Sequence, residues 1–357
     1  MSRRTKIATV VLGSLLGLLL VLWVSSERVR YAASAAVDHL RLMASRVPVQ
    51  SLIDTPDTPP ELRAKLETVL RARRFASEEL ALPDNASYKH YIDVGRPEVG
   101  WNVFAAPEFS LKPLEWCFPI AGCVVYRGYS SEADARAFAA DLSEQGNDVY
   151  VARFTAYSTL GWFEDSLLSA FMDRRVEYVV GIIFHELAHQ QVYAAGDSDF
   201  NEAFAMTVER EGLQRWLRSE GETEALERAR ASWDWSEKRI RLMLRTRAAL
   251  SELYVSAVGA AEMREAKKSV LDELRQSLCA IDGDCASEEP SNQKTSEKRP
   301  LNNATLAAVA TYSDLAPAFE KLLAREGGDF SRFYEQVAVI ADLPANEREK
   351  HLAAISE

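Results

Sequence analysis

The hydrophobic pattern changes character several times along the chain. Ile7 to Val24 is an unbroken run of apolar and small residues that follows a basic tip carrying Arg3, Arg4 and Lys6. At 1.5 Å rise per residue its eighteen positions would span about 27 Å, close to the hydrocarbon thickness of a bilayer. Arg28 to Val47 then shows helical periodicity through Val29, Ala33, Val37 and Leu40. A Pro-rich turn covers Thr55 to Pro60. Glu61 to Leu80 places Leu62, Leu66, Val69 and Leu70 on one stripe, which predicts an amphipathic helix ending before Pro83.

From Tyr88 to about Thr155 the period shortens. Val99 to Ala106, Gly122 to Tyr126 and Asp148 to Phe154 are short β-rich runs bounded by Gly, Pro or Asn. Between the last two, Ser131 to Gln145 reads as a helix, with Ser131 as the cap and Asp134 three residues on. An almost continuous helical pattern begins at Asp165 and runs through Leu278. Ala286 to Pro300 is charged and Ser-rich without apolar periodicity, so a solvated loop is expected there. Leu301 to Ile355 predicts two or three further helices, broken near Gly327-Gly328 and Pro344. The expected fold class is α+β, predominantly α-helical, with a small sheet ahead of a helical half and one N-terminal transmembrane helix. The expected division is 1–26 as cytoplasmic tip and anchor or signal segment, 27–285 as the main domain, 286–300 as the loop, and 301–357 as helices packing back on that domain.

Charge and cysteine content narrow the class. A net charge of −11 argues against a nucleic-acid partner, which needs a basic surface. The basic tip ahead of the apolar run places the N-terminus in the cytoplasm and the bulk of the chain outside it, at the inner (cytoplasmic) membrane. A cleavable signal peptide is the competing reading, although the small residues of Ala32 to Ala36 lie far past the run. Both readings export the chain to the periplasm or extracytoplasmic space. Four cysteines fall into two local pairs, Cys117 with Cys123 and Cys279 with Cys285, and an exported chain can join such pairs as disulfides.

The segment Val179 to Gln190 carries chemistry. It holds His185-Glu186-Leu-Ala-His189 inside an apolar helix, an H-E-x-x-H arrangement. Spacing i, i+4 puts both imidazoles on one helix face, where they can chelate a single Zn²⁺. Glu186 sits about 100° round the helix, placed to act as a base on water rather than as a ligand. Burying two His and one Glu among apolar residues would be costly without a partner. A catalytic zinc commonly takes three protein ligands and keeps one position open. After the turn of Gly196 to Asp199, a helix starting at about Asn201 would return antiparallel and bring Glu202 alongside the pair. Glu209, two turns on, is the rival ligand, or else a carboxylate that orients an imidazole.

The run His185 to Gln190, followed by Asn201-Glu202-Ala-Phe-Ala and Val208-Glu209-x-x-Gly212, resembles the predicted aminopeptidase family of exported bacterial proteins, within the H-E-x-x-H-plus-Glu zinc peptidases. Leu82-Pro-Asp-Asn85 with Ser87-Tyr88, Ala106-Pro-Glu-Phe109, Trp116-Cys117 through Cys123, Tyr126 to Tyr129, Ala156 to Phe163 and Asn302-Asn-Ala304 with Tyr312 resemble its other blocks. The resemblance covers nearly the whole chain beyond the apolar run. It implies a zincin-like peptidase with His185, His189 and Glu202 as ligands of one zinc and Glu186 as base. Many relatives carry a lipid-modified Cys after the signal segment; here Trp23-Val-Ser-Ser26 stands there, which excludes that anchor.

The expected function is hydrolysis of peptide bonds in a peptide or protein substrate, by an aminopeptidase held to the membrane through its N-terminal helix. The alternatives are a membrane-anchored endopeptidase acting in quality control, and a non-catalytic scaffold with a structural zinc. Asn201, Tyr157 and Tyr312 join Glu209 as candidates around the metal or substrate. Tyr312 could donate to a tetrahedral oxyanion. Glu164 and Asp165 could bind a substrate ammonium or simply cap a helix.

Overall fold

The computed structural model describes residues 31, 37, 40–118, 122–155, 164–283, 300–309 and 315–356. The chain divides into two units, Met1–Arg46 and Val47–Glu357. In the first, residues 40–44 are helical, and the expected transmembrane run Ile7 to Val24 lies outside the described residues. Among the described residues no helix is long and apolar enough to cross a membrane.

The second unit is α+β and mostly helical. It begins with β1 (Val47–Pro48), α1 (Val49–Asp54) and α2 (Pro60–Glu78). Pro60 starts α2, where a missing N–H costs nothing, and Leu66, Val69, Ala72 and Ala76 form its buried stripe. The strands β2 (His90–Ile92), β3 (Gly100–Pro107), β4 (Trp116–Phe118), β5 (Gly122–Val124) and β6 (Arg127–Tyr129) follow. Next come α3 (Glu132–Glu144), β7 (Asn147–Phe154), β8 (Leu167–Leu168) and α4 (Ser169–Met172). The helical half holds α5 (Val176–Gln191), α6 (Ser198–Ser219), α7 (Thr223–Tyr254) and α8 (Ala260–Asp282). The tail supplies α9 (Asn303–Val309), α10 (Ala316–Arg325), α11 (Phe330–Ala341) and α12 (Ala345–Ser356).

Three small sheets result. β3 is central to an antiparallel sheet of order β6-β3-β7, and β4 and β5 form a hairpin. β2 pairs antiparallel with β1 and parallel with β8. α3 covers the main sheet, burying Ala135 and Leu142 against Trp101, Val103 and Ala105. Its expected cap is present, with Ser131 Oγ accepting from the Asp134 amide at 3.3 Å.

Four expectations need correction. The tail from Leu301 holds four helices among the described residues rather than two or three. The run Gly122 to Tyr126 is not one strand: it breaks after Val124, so that β5 closes the hairpin and β6 joins the main sheet. The helical stretch does not begin at Asp165, because Leu167 and Leu168 pair with Tyr91 and Ile92 and the first helical turn waits until Ser169. The helix after the Gly196 turn starts at Ser198, three residues before Asn201, since Asp197 caps it by accepting from the Phe200 amide at 3.0 Å.

The tail helices pack on the outer face of α6. Phe200 and Phe204 of α6 meet Phe319 of α10, and Phe204 also meets Phe333 and Tyr334 of α11. Each fully buried phenylalanine contributes about 1.5–3 kcal/mol in area terms. α9 contacts β3, β7 and α7. Its Asn303 takes part in a polar knot with Lys267 and Asp148, whose Nζ and Oδ2 lie 2.6 Å apart.

Candidate metal centre

Helix α5 is apolar on most of its circumference. Val179, Val180, Ile183, Phe184, Leu187 and Ala188 are all fully buried. That leaves His185 and His189 on one stripe, a turn apart, facing α6. The helices run antiparallel, with His185 opposite Glu202 and Gly181 opposite Glu209. Two glycines permit the close approach. A Cβ on Gly212 would meet Phe184 Cδ2 at 3.1 Å and Leu80 Cδ1 at 2.7 Å, and one on Gly181 would meet Glu209 Oε1 at 3.2 Å.

The donor atoms converge. His185 Nε2 and His189 Nε2 are 3.2 Å apart. Glu202 Oε2 lies 3.3 Å from His185 Nε2, and Glu202 Oε1 lies 3.5 Å from His189 Nε2. Among the described residues these three are the group able to hold a metal ion. A tetrahedral ion with bonds of about 2.0–2.1 Å needs ligand atoms about 3.3 Å from one another, so the donor set fits such an ion. The imidazoles are 14% and 4% exposed while the Glu202 side chain is 37% exposed, so the centre opens to solvent on the Glu202 side.

A surrounding layer fixes the donors. His185 Nδ1 lies 3.1 Å from Glu209 Oε2, so Nδ1–H donates to the carboxylate and Nε2 faces the common point, where a metal would take the place of its proton. Asn201 is buried and makes a two-way clamp on Ala194: its Oδ1 accepts from the amide at 2.8 Å and its Nδ2 donates to the carbonyl at 2.9 Å. That clamp ties the turn after α5 to the start of α6 and so sets the height of Glu202. Gly196, at φ +79°, takes the left-handed conformation this turn requires.

Three carboxylates, Glu186, Glu202 and Glu209, surround two imidazoles, and the charge imbalance is felt in the pKa values. Burial lowers that of His185, but the contacts with Glu202 and Glu209 outweigh burial and hold it well above the usual histidine range. Burial raises that of Glu202, and the two imidazoles outweigh it, keeping the carboxyl far below its ordinary value. The cluster calls for positive charge, which protons or a dication can supply.

The structure thus brings together His185, His189, Glu202, Glu209 and Asn201. Tyr157, Tyr312 and Cys285 lie outside the described residues. Cys117 and Cys123 are joined by a disulfide across the β4–β5 hairpin, and Cys279 sits on α8. Neither Glu164 nor Asp165 caps a helix. Glu164 is exposed, while Asp165 is buried and its Oδ2 accepts from Gln190 Nε2 at 3.2 Å. A surface cavity of about 550 Å³, lined by Lys65, Arg175, Glu177 and Arg228 among others, opens at the opposite end of α5 and contains none of these donors. Sequence reasoning missed the spacing role of Gly181 and Gly212, and it singled out the loop of residues 82–88 only as a block of the family resemblance, without its contact to Gln190. The signal available for that loop was Gln190 itself, a polar residue directly after His189 on an apolar helix.

No curated protein and no solved structure was found to match the chain. A family model described as Putative aminopeptidase matches residues 30–352. The chain, which carries these donors on α5 and α6, belongs to that family.

Proposed function

We propose that this protein is a zinc-dependent aminopeptidase, tethered to the membrane by Ile7 to Val24 and acting on peptides on the extracytoplasmic side. The observation that carries the reading is the convergence of His185 Nε2, His189 Nε2 and the Glu202 carboxylate at separations of 3.2–3.5 Å. A zinc ion held by these three supplies Lewis acidity, polarising a carbonyl and bringing the pKa of water to about 7. The family membership supports peptide hydrolysis. The basic tip, the apolar run and the Cys117–Cys123 disulfide support an exported, anchored chain.

The protein's own groups have separate tasks. Glu186 follows His185 on α5 but turns about 100° away from it. Its carboxylate accepts the proton of the attacking water and returns it to the amine nitrogen as that nitrogen leaves. Glu209 keeps the hydrogen on Nδ1 of His185, and Asn201 keeps α6 in register, so neither imidazole nor Glu202 must reorganise during the reaction. The opening on the Glu202 side gives the substrate its approach.

Glu186→Gln tests the assignment. It is expected to retain zinc at the same stoichiometry and to lose about 10²–10⁴-fold in kcat, the range for a general base. An active Gln variant overturns the assignment of the base. Comparing free and N-acetylated peptides tests the exopeptidase preference, since an aminopeptidase cleaves only the former. Equal rates on both identify an endopeptidase.

A further inference from the structure

The loop between α2 and β2 carries a conformational oddity next to the base. Tyr88 has φ +64°, in the left-handed region that L side chains other than Asn and Asp seldom adopt, and it is only 4% exposed. The surroundings hold it there. Its amide donates to the Asp165 carbonyl at 2.7 Å. The buried Arg73 guanidinium donates to the carbonyls of Ser87 at 3.1 Å and Asn85 at 3.2 Å. Asn85 Nδ2 donates to Gln190 Oε1 at 2.7 Å, and Gln190 Nε2 donates to Asp165 Oδ2 at 3.2 Å. Since Gln190 follows His189, this turn is fastened directly to the metal-binding helix.

The Tyr88 hydroxyl has no such attachment. Buried tyrosines ordinarily find a partner for the oxygen, as Tyr334 does with the Leu80 carbonyl at 2.9 Å and Tyr254 with Asn303 Oδ1 at 2.7 Å. Among the described residues the Tyr88 hydroxyl makes no hydrogen bond, and Glu186 is its strongest charged neighbour. The ring is buried while the hydroxyl itself reaches accessible space, so a strained backbone holds a free donor at the surface of the site.

Building on the zinc-peptidase reading, we propose that Tyr88 is a further catalytic residue, whose phenol donates a hydrogen bond to the carbonyl oxygen of the scissile peptide bond. As the water oxygen bonds to the carbonyl carbon, the C=O π pair moves onto that oxygen and Glu186 takes the water proton. As the C–N bond breaks, the pair returns to re-form the carbonyl and the proton passes from Glu186 to the leaving nitrogen. Tyr88 keeps its proton throughout and stabilises the charge on the oxygen. Burial, then the Glu186 and Asp165 carboxylates, push the phenol well above its ordinary pKa, so it stays a neutral donor.

Tyr88→Phe in the full chain tests this. Because the hydroxyl has no partner, the variant is expected to melt at the wild-type temperature and to bind one zinc with wild-type affinity. Its KM is expected to stay within about two-fold while kcat falls about 10²–10³-fold, the range for removal of one oxyanion donor. A phosphinic peptide, whose tetrahedral phosphorus bears charged oxygens, is expected to bind the variant at least about 10-fold more weakly, by calorimetry, than it binds wild type. Wild-type kcat and wild-type phosphinic affinity in Tyr88→Phe overturn this role alone. A wild-type chain that binds neither zinc nor the phosphinic peptide overturns the underlying reading as well.

Discussion

Replacing Gly181 by alanine separates the stability of α5 from the quality of the metal centre it carries. An alanine in a helix interior is favoured over glycine by about 0.5–1 kcal/mol, through the lower entropy of the unfolded chain. The added Cβ meets Glu209 Oε1 at 3.2 Å, with Glu209 Cγ at 3.4 Å and Leu213 Cδ2 at 3.5 Å. The last two are ordinary contacts, so only the carboxylate must move, by a few tenths of an ångström. A glutamate end group moves at little cost. The same carboxylate, however, holds His185 Nδ1 at 3.1 Å, and a shift of that size weakens the bond that fixes the ring. Loss of an outer partner of a metal-binding histidine typically costs 10–100-fold in metal affinity. Tenfold corresponds to about 1.4 kcal/mol. Gly181→Ala is therefore expected to raise or preserve the melting temperature of the metal-free protein while weakening zinc binding about tenfold, read by competition with a chromophoric chelator. Glu209→Gln, which keeps the shape and removes the charge, is expected to weaken zinc binding similarly. Unchanged zinc affinity in both variants would refute the claim that Glu209 orients His185.

Three further outcomes follow from the same geometry. Gly212→Ala, whose Cβ would meet Leu80 Cδ1 at 2.7 Å and Phe184 Cδ2 at 3.1 Å in a fully packed core, is expected to destabilise by about 1–2 kcal/mol in urea unfolding, the overpacking cost outweighing the helix gain. Asn201→Ala orphans the buried amide of Ala194, whose carbonyl keeps the Asp197 amide at 3.2 Å, and is expected to cost about 1–3 kcal/mol, with weaker zinc binding because Glu202 loses its register; a loss below about 1 kcal/mol argues against the clamp. The raised pKa of His185 gives a pH dependence. In the metal-free protein its imidazolium contributes stability fully below the ordinary histidine value near 6.5, and that contribution is lost as pH rises through the higher folded value. Zinc must displace that proton, so binding at pH 7 is expected to release at least one proton per ion and to tighten as pH rises toward the folded value. Calorimetry in two buffers of different ionisation enthalpy measures this, and identical heats in both would contradict it.

The site was readable where one element carries its own logic. The i, i+4 imidazoles and the apolar positions around them specify a buried helix with a polar stripe, and the Gly196 turn implies a return of chain carrying Glu202. Helix α3 was equally plain, because Ser131 and Asp134 mark its start. What escaped depends on distant partners. β1, β2 and β8 are two or three residues long, and each exists only because Tyr91 pairs with Val47, 44 positions before it, and with Leu167, 76 positions after it. No local pattern announces such a sheet. Tyr88 looked like the start of a strand region, whereas its left-handed backbone is imposed by Asp165 and by the loop that Arg73 grips. Gly181 and Gly212 looked like interruptions of helical propensity, and their purpose shows only when the facing side chains are in place. The resemblance to a family compensated for this at the site, since it supplied Glu202 independently of any packing argument.

The most direct test of the whole account is an anomalous-difference measurement at the zinc edge on crystals of the full chain. The account predicts a single strong peak about 2.0–2.2 Å from His185 Nε2, His189 Nε2 and a Glu202 carboxylate oxygen, with Glu186 outside bonding distance. A zinc peak elsewhere, or one ringed by four protein ligands with no position left for water, would contradict it.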